Sequence, residues 1–466
     1  MAPKFGTSGL RGLVTELTDD LVADHVAAFL AACDPGTGLY VARDLRPSSP
    51  RIAAAVIAAA RAAGVDVTDC GEVPTPALAL AAMTAGAGSV MVTGSHIPAD
   101  RNGLKFYTPG GEVTKADEAA ILSRLGAPRP TGGSGRLVTD TGAGAACVAR
   151  YVGAFGPGAL RGRRIGVYSH SAVGRDLLLA LFAGLGAGVT DLGRADHFIP
   201  VDTEAVDEGT RAQLRAWAAS GSASGAFDAI VSTDGDGDRP LLTDATGEVI
   251  PGDILGQITA AHLGADTVVT TVSANTGADL GGRFAKVIRA RIGSPFVIAA
   301  MEAAGRADPA ARITGYEPNG GFLLGFDAQA QTGELPRLMT RDAFLPLVAP
   351  LIAAGSGSLA ARVAAEPARF TATDRLQEVP TEHTQALVAR LTADPAPLLS
   401  ALDEAEAGRD LTDGLRLALV SGRVLHLRPS GNAPELRVYA EAESPAAAGL
   451  LLRAGLDRVG GMIGQG

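Results

Sequence analysis

Two stretches of this 466-residue chain follow one plan, and that plan constrains the fold more than any single motif does. Leu39-Tyr-Val-Ala-Arg-Asp44 reads as a strand, Pro50 to Gly64 as an alanine-rich helix, and Val65-Asp-Val-Thr-Asp-Cys-Gly71 as a second strand. Downstream, Arg164-Ile-Gly-Val-Tyr-Ser169, a helix from Gly174 to Gly186, and Gly188-Val-Thr-Asp-Leu-Gly193 repeat the order. Both helices close on glycine, and both second strands end in Thr-Asp-apolar-Gly. A strand that returns through a helix lies parallel to its predecessor, so the first two domains share a parallel α/β plan. Two copies are too few for a solenoid.

A third α/β block starts near Gly252. It holds strands at Thr267–Val272 and Lys286–Arg291, a short helix from Phe296 to Ala304, a strand at Arg312–Glu317 and a helical stretch from Arg341 to Ala354. The Gly-Ser-Gly-Ser run at Gly355–Ser358, with Pro367 and Pro380, reads as a linker into a last unit. That unit has strand character at Leu415–Val420, Arg423–Leu427 and Leu436–Glu441 and looks more antiparallel. The expected division is 1–152, 153–251, 252–366 and 367–466, with Gly153–Gly158 between the first two.

Composition removes several classes. Apolar residues make up 47%, enough for cores, and much of that is alanine rather than membrane-type side chains. The most apolar run, Ala77 to Val92, is broken by Thr84, Gly86, Gly88 and Ser89, which argues against a membrane span. A net charge of −10 argues against a nucleic-acid binder but leaves room for a local cationic pocket. Three cysteines, Cys33, Cys70 and Cys147, give no paired metal spacing and no disulfide framework. With no signal-peptide pattern at the N-terminus, the expectation is a cytoplasmic protein.

Chemistry collects in five loops. Phe5-Gly-Thr-Ser-Gly-Leu-Arg-Gly12 is glycine-rich around Arg11 and suits close approach to an anion, though an ordinary N-terminal turn has the same look. Val90 to Tyr107 brings together Ser95, His96 and Lys105: a hydroxyl, an imidazole and an ammonium, suited to group transfer through a covalent serine. Here Gly94 is expected to make a tight turn that lifts Ser95 clear, and Asn102-Gly103 a second turn before Lys105. A plain surface turn is the rival reading.

The most specific signal is Asp228-Ala-Ile-Val-Ser-Thr-Asp-Gly-Asp-Gly-Asp-Arg239. A buried-type strand delivers Asp234, Asp236 and Asp238 into a glycine-spaced turn, where mutual repulsion is relieved by a hard divalent cation. An EF-hand fails on spacing, because Arg239 stands where glycine is needed and Ala245 where glutamate is needed. Magnesium fits better, since it keeps coordination sites for phosphate oxygens, and Arg239 adds phosphate-binding charge. Gly315-Tyr-Glu-Pro-Asn-Gly-Gly-Phe322 offers Glu317 and Asn319, a carboxylate and amide suited to vicinal sugar hydroxyls. Arg428-Pro-Ser-Gly-Asn-Ala-Pro-Glu-Leu-Arg437 groups Arg428, Ser430, Gly431 and Asn432 as donors for a phosphate.

Four of these loops, in this order, resemble the signatures of the α-D-phosphohexomutase superfamily: Thr-Gly-Ser-His-Ile-Pro, Asp-Gly-Asp-Gly-Asp-Arg, Tyr-Glu-Pro-Asn-Gly-Gly and Arg-Pro-Ser-Gly-Asn-Ala-Pro. The resemblance spans essentially the whole chain and is greatest to bacterial phosphomannomutase/phosphoglucomutase-type members. The Glu-x-Asn-Gly-Gly loop and Thr340-Arg341-Asp342 are similar to one phosphomannomutase subgroup. It implies three similar mixed α/β domains plus a smaller C-terminal α+β domain around a central cleft, the last domain moving to close it. It also implies an enzyme that interconverts hexose 1-phosphate and 6-phosphate, of mannose and/or glucose, through a phosphoserine and a 1,6-bisphosphate.

By this resemblance Ser95 carries the phosphoryl group and shares magnesium with Asp234, Asp236 and Asp238. Lys105 and His96, with Arg11, handle the proton and charge of transfer. Glu317 and Asn319 hold sugar hydroxyls, and Arg428, Ser430, Gly431 and Asn432 grip the non-reacting phosphate, with Arg239 taking further phosphate charge. The implied partners are hexose phosphates, with a hexose 1,6-bisphosphate as activator, acting on a monomer or homodimer. The chain departs from the commoner pattern in having Asn319 for serine, Gly321 for histidine, Asn432-Ala433 for Thr-Glu, and Gly94 and Ile97 for alanine and asparagine. These changes bear on sugar preference. A phosphoglucosamine mutase, a sugar bisphosphate synthase, a phosphatase and a non-catalytic sugar-phosphate sensor are the alternatives.

Overall fold

The computed structural model describes residues 3–6, 9–223, 225–431 and 433–463. The chain forms two compact units, one of residues 1–267 and 293–363, the other of residues 268–292 and 364–466.

In the first unit an eight-stranded sheet opens the chain. Its central strand, Gly88–Val92, is buried at every position. It pairs in parallel with Leu39–Arg43 and antiparallel with Arg101–Thr108. Leu39–Arg43 also pairs in parallel with Val67–Gly71, as the repeated plan predicts. Helices Asp19–Ala32 and Ser49–Ala62 bury Val22, Val26 and Phe29, and Ile52 and Val56, in the same core as Val41, Val90 and Phe106. The first helix is capped by Thr18, whose Oγ1 accepts from Leu21 N at 3.2 Å.

The second copy of the plan forms a four-stranded sheet in the order Gly188–Leu192, Arg164–Tyr168, Ala229–Thr233, Pro240–Leu242. The first three are parallel. Further along, Ile313–Tyr316, Phe322–Leu324 and Leu338–Asp342 form an antiparallel run. The expected helix from Arg341 starts only at Phe344, because Arg341 and Asp342 finish the strand Leu338–Asp342.

The second unit carries a five-stranded antiparallel sheet, covered by helices Thr381–Ala393 and Pro445–Ile463 over a leucine-rich core. Two of its strands, Phe370–Gln377 and Glu406–Asp410, lie in stretches read from sequence as linker or left blank. Both are sheet edges; the first is exposed at most positions and shows no alternation, and the second, Glu-Ala-Gly-Arg-Asp, alternates only between half-buried and exposed and puts no large apolar residue on either face. The expected linker also contains the helix Leu359–Ala364. Among the described residues no helix is long and apolar enough to cross a membrane.

Candidate active site

Ser95 follows the buried strand Gly88–Val92 and is itself 1% exposed, so it is not lifted into solvent. The left-handed turn falls on Ser95, at φ +54°, and not on Gly94. Gly94 is required for a different reason: a Cβ there would lie 2.7 Å from the Arg46 guanidinium carbon. Arg46, fully buried, donates to the carbonyls of Ser95 (2.8 Å), Ile97 (2.6 Å), Pro98 (2.7 Å) and Arg101 (3.0 Å). Asp44 holds Arg46 Nε at 3.1 Å and also accepts from Thr93 Oγ1 at 2.7 Å. The serine loop is therefore clamped around one arginine. Asn102 and Gly103 belong to the strand Arg101–Thr108, where Gly103 pairs with Arg11, so no second turn precedes Lys105. The strand carries Lys105 into the interior directly.

Ser95 Oγ donates to Asp234 Oδ2 at 2.5 Å and lies 3.4 Å from His96 Nδ1. The strand Ala229–Thr233 delivers Asp234, whose other oxygen accepts from the backbone N–H groups of Gly237, Asp238 and Arg239. Asp234, Asp236 and Asp238 each present an oxygen within 4.8 Å of the others, and all three are fully buried. Lys105 Nζ donates to Asp236 Oδ2 (2.6 Å) and Asp238 Oδ2 (2.5 Å). Thr75 Oγ1 donates to the same Asp236 oxygen at 2.6 Å.

The second oxygens, Oδ1 of Asp236 and of Asp238, are buried and accept no hydrogen bond. Buried carboxylate oxygens that accept no hydrogen bond are costly, even with Arg239 Nε 3.9 Å from that of Asp238, and an oxygen-seeking divalent cation is a group that satisfies them. The donor set fits magnesium.

Charge is finely divided here. Burial, reinforced by Asp236 and Asp238, raises the Asp234 carboxyl well above the usual range. Burial acts the same way on Asp238, but Arg341, Lys105 and Arg239 outweigh it and hold that carboxyl below the usual range. His96 is pushed down to about 4 by burial and by Arg239, whose Nη1 lies 3.2 Å from His96 Nδ1. Arg11 is lowered to about 10 by burial and by the nearby cations Arg239 and Arg341. Thr7 and Ser8 of its loop lie outside the described residues.

Glu317 and Asn319 occupy the turn between strands Ile313–Tyr316 and Phe322–Leu324. Both are buried, and Asn319 Oδ1 accepts from Gly321 N at 2.9 Å, which closes the turn. Burial raises the Glu317 carboxyl, opposed by Arg341 and Arg239. Ser95, His96, Lys105, Arg11, the three aspartates, Arg239, Glu317 and Asn319 all belong to the first unit.

Residues 2–129 match the family description Phosphoglucomutase/phosphomannomutase, alpha/beta/alpha domain I, and residues 377–454 match its C-terminal domain. A phosphomannomutase from Sinorhizobium fredii is 45% identical over 98% of both chains. The chain belongs to the phosphoglucomutase/phosphomannomutase family. A phosphoglucosamine mutase from Acidothermus cellulolyticus is 33% identical, over 94% of this chain and 92% of its own. In fold, the crystal structure of a phosphoglucomutase/phosphomannomutase family protein from Burkholderia thailandensis aligns with a TM-score of 0.78 at 23% identity, covering 98% and 97% of the two chains.

The stretch expected from the sequence to bind a phosphate, Arg428–Arg437, lies in the second unit. Arg428 ends the strand Val424–Pro429 and its Nε donates to Asp413 Oδ2 at 2.8 Å. Ser430 is buried and its N–H donates to Glu435 O at 3.0 Å, while a Cβ on exposed Gly431 would meet nothing within 4 Å. Asn432 lies outside the described residues.

Sequence reasoning missed four participants in the first unit: Arg46, Thr75, Glu112 and Arg341. Arg341, 2% exposed, reaches Asp238 Oδ2 at 2.9 Å, Glu112 Oε1 at 3.5 Å and Glu317 Oε2 at 3.8 Å. The one usable signal is the Thr340-Arg341-Asp342 segment, three polar residues between Leu338-Met339 and the apolar run from Ala343.

Proposed function

We propose that this phosphohexomutase interconverts hexose 1-phosphate and hexose 6-phosphate, of mannose and/or glucose, with Ser95 as the phosphoryl carrier and a 1,6-bisphosphate as intermediate. The observation that carries the reading is the Ser95 hydroxyl set 2.5 Å from Asp234 at the edge of a buried aspartate triad. Identity of 45% to a phosphomannomutase supports mannose over an amino sugar.

Asp234, Asp236 and Asp238, with the phosphate on Ser95, would hold magnesium, which when bound neutralises charge on the transferring phosphoryl group. Arg46 fixes the loop that carries Ser95, so the hydroxyl oxygen keeps one place through both halves of the reaction. The phosphoryl group passes from Ser95 Oγ to the free hydroxyl of the sugar monophosphate, whose proton leaves to a base. Lys105 and His96 are the two groups assigned to that proton and its charge, with Arg11 and Arg239 adding positive potential. The bisphosphate then returns its other phosphoryl group to Ser95. Glu317 and Asn319 bind sugar hydroxyls, and Arg428, Ser430, Gly431 and Asn432 bind the phosphate that is not reacting. We assign residues 1–152, 153–251, 252–366 and 367–466 to the phosphoserine, metal, sugar and phosphate functions respectively.

The test is isomerisation of mannose 1-phosphate and glucose 1-phosphate to the 6-phosphates, with magnesium and a trace of the 1,6-bisphosphate, in native protein and Ser95→Ala. Turnover that collapses in the variant supports the reading, and the ratio of the two substrates gives the preference. Turnover only with glucosamine phosphate would transfer the assignment to that sugar.

A further inference from the structure

Arg341 sits at the end of the strand Leu338–Asp342, beside the sugar turn, because Asp342 is registered against Phe322. Its three acidic partners come from three separate places: Glu112 on a short strand, Asp238 on the metal loop and Glu317 on the sugar turn. Glu112 is itself fixed, accepting from Ser294 Oγ at 2.7 Å and from the Arg341 backbone N–H at 3.3 Å. A guanidinium suits this place because its rigid planar fork holds five donors in fixed directions, so carboxylates on different sides of it are met without ordering a flexible ammonium.

The stem of Arg341 also takes space on the sugar side. A Cβ on Gly321 would lie 2.8 Å from Arg341 Cδ and 3.0 Å from its Cγ. Neither residue can take a larger neighbour without the other moving. A histidine at position 321, the commoner family form, is incompatible with Arg341 where it stands. Here a cation from the strand Leu338–Asp342 reaches the metal loop at Asp238.

Resting on the phosphohexomutase reading, we propose that Arg341 is the positioning residue that sets the Glu317 carboxylate for the sugar hydroxyls, by tying the sugar turn to Asp238 and Glu112. Its effect on sugar binding passes through Glu317. Without that tie, Glu317 is a buried carboxylate that turns away from the sugar toward solvent or another donor.

The experiment is calorimetric binding of mannose 1-phosphate to four full-length proteins: native, Arg341→Gln, Glu317→Gln and the double variant, each with its thermal unfolding recorded. Arg341→Gln is expected to weaken binding about tenfold in the native background and less than threefold when Glu317 is already glutamine. Equal loss in both backgrounds, or no loss, overturns the proposal, since a residue that only supports the fold weakens binding regardless of Glu317. Gly321→Ala supplies a second route should Arg341→Gln unfold. The added methyl displaces Arg341, so the proposal requires weaker binding, and unchanged binding overturns it. Native protein that binds the sugar phosphate but does not isomerise it would sink the mutase assignment and leave the Arg341 coupling to be read as stated. Native protein that binds no sugar phosphate sinks both.

Discussion

Ser95 Oγ lies 2.5 Å from Asp234 Oδ2, although 139 positions separate the two residues in the chain. The hydroxyl that carries the proposed chemistry is thus held by a ligand of the proposed metal.

Removing that hydroxyl would remove the proposed phosphoryl carrier. Ser95→Ala should lower turnover of hexose phosphates by on the order of 10³ or more while leaving the thermal transition nearly unchanged. Incubation with labelled 1,6-bisphosphate checks the same point, because label should remain on native protein after denaturation and be absent from the variant.

Metal binding should depend on the oxygens that lack partners. Magnesium should raise the Tm of native protein, since a ligand that binds only the folded state stabilises it. Asp236→Asn, which removes the charge beside an orphaned buried oxygen, should abolish that increase. Thr75→Val, which deletes the hydroxyl donating to Asp236, should reduce it in part. A magnesium-dependent Tm in Asp236→Asn equal to native would dismiss the triad as the metal site.

Gly94→Ala tests the clamp on the serine loop. The new methyl would meet an arginine already bound to four carbonyls, so the arginine cannot yield cheaply. Destabilisation of about 1–3 kcal/mol is expected from such overpacking, measured by denaturant unfolding. Gly94 has no positive φ, so the cost is purely steric.

Acid should weaken the fold through buried imidazoles. His170 and His426 are both pushed down to about 4 by burial, each with Nε2 on a backbone carbonyl. In the unfolded chain they titrate near ~6.5. Between those values the unfolded state takes up protons that the folded state refuses, so stability is complete above about pH 6.5 and falls toward pH 4. Each histidine contributes up to about 3 kcal/mol of that loss. Tm measured against pH should decline over this window, and His426→Gln should decline less steeply.

What was legible in the sequence was local. The aspartate cluster, Ser95 beside His96, and the turn of Glu317 and Asn319 are each written in a few consecutive residues, so their proximity is set by short-range spacing. The repeated strand-helix-strand plan was equally plain, because alanine-rich helices between β-branched strands give distinct periods. Arg46 and Thr75 act on partners 49 and 161 positions away, and Arg341 acts on Glu317, Asp238 and Glu112 at 24, 103 and 229 positions, none of which short-range spacing records. In the sequence Gly94 looks like the residue that makes a tight turn. Its actual duty, leaving room for Arg46, is visible only once the strand Leu39–Arg43 is placed beside Gly88–Val92. The edge strand Phe370–Gln377 escaped for the opposite reason, having too little burial to impose a pattern.

The first unit is interrupted by residues 268–292 and resumes at 293–363. In the order of synthesis, Ser95, Lys105 and the three aspartates therefore leave the ribosome well before Arg341, the cation that faces Asp238 and Glu317. Lys105 and Arg239 are already present to face Asp238, but until that late strand arrives the buried carboxylates lack part of their compensating charge. The first unit must therefore wait for its own far end, and a chain truncated before residue 341 should accumulate as an acidic, protease-sensitive intermediate and not as a smaller working protein.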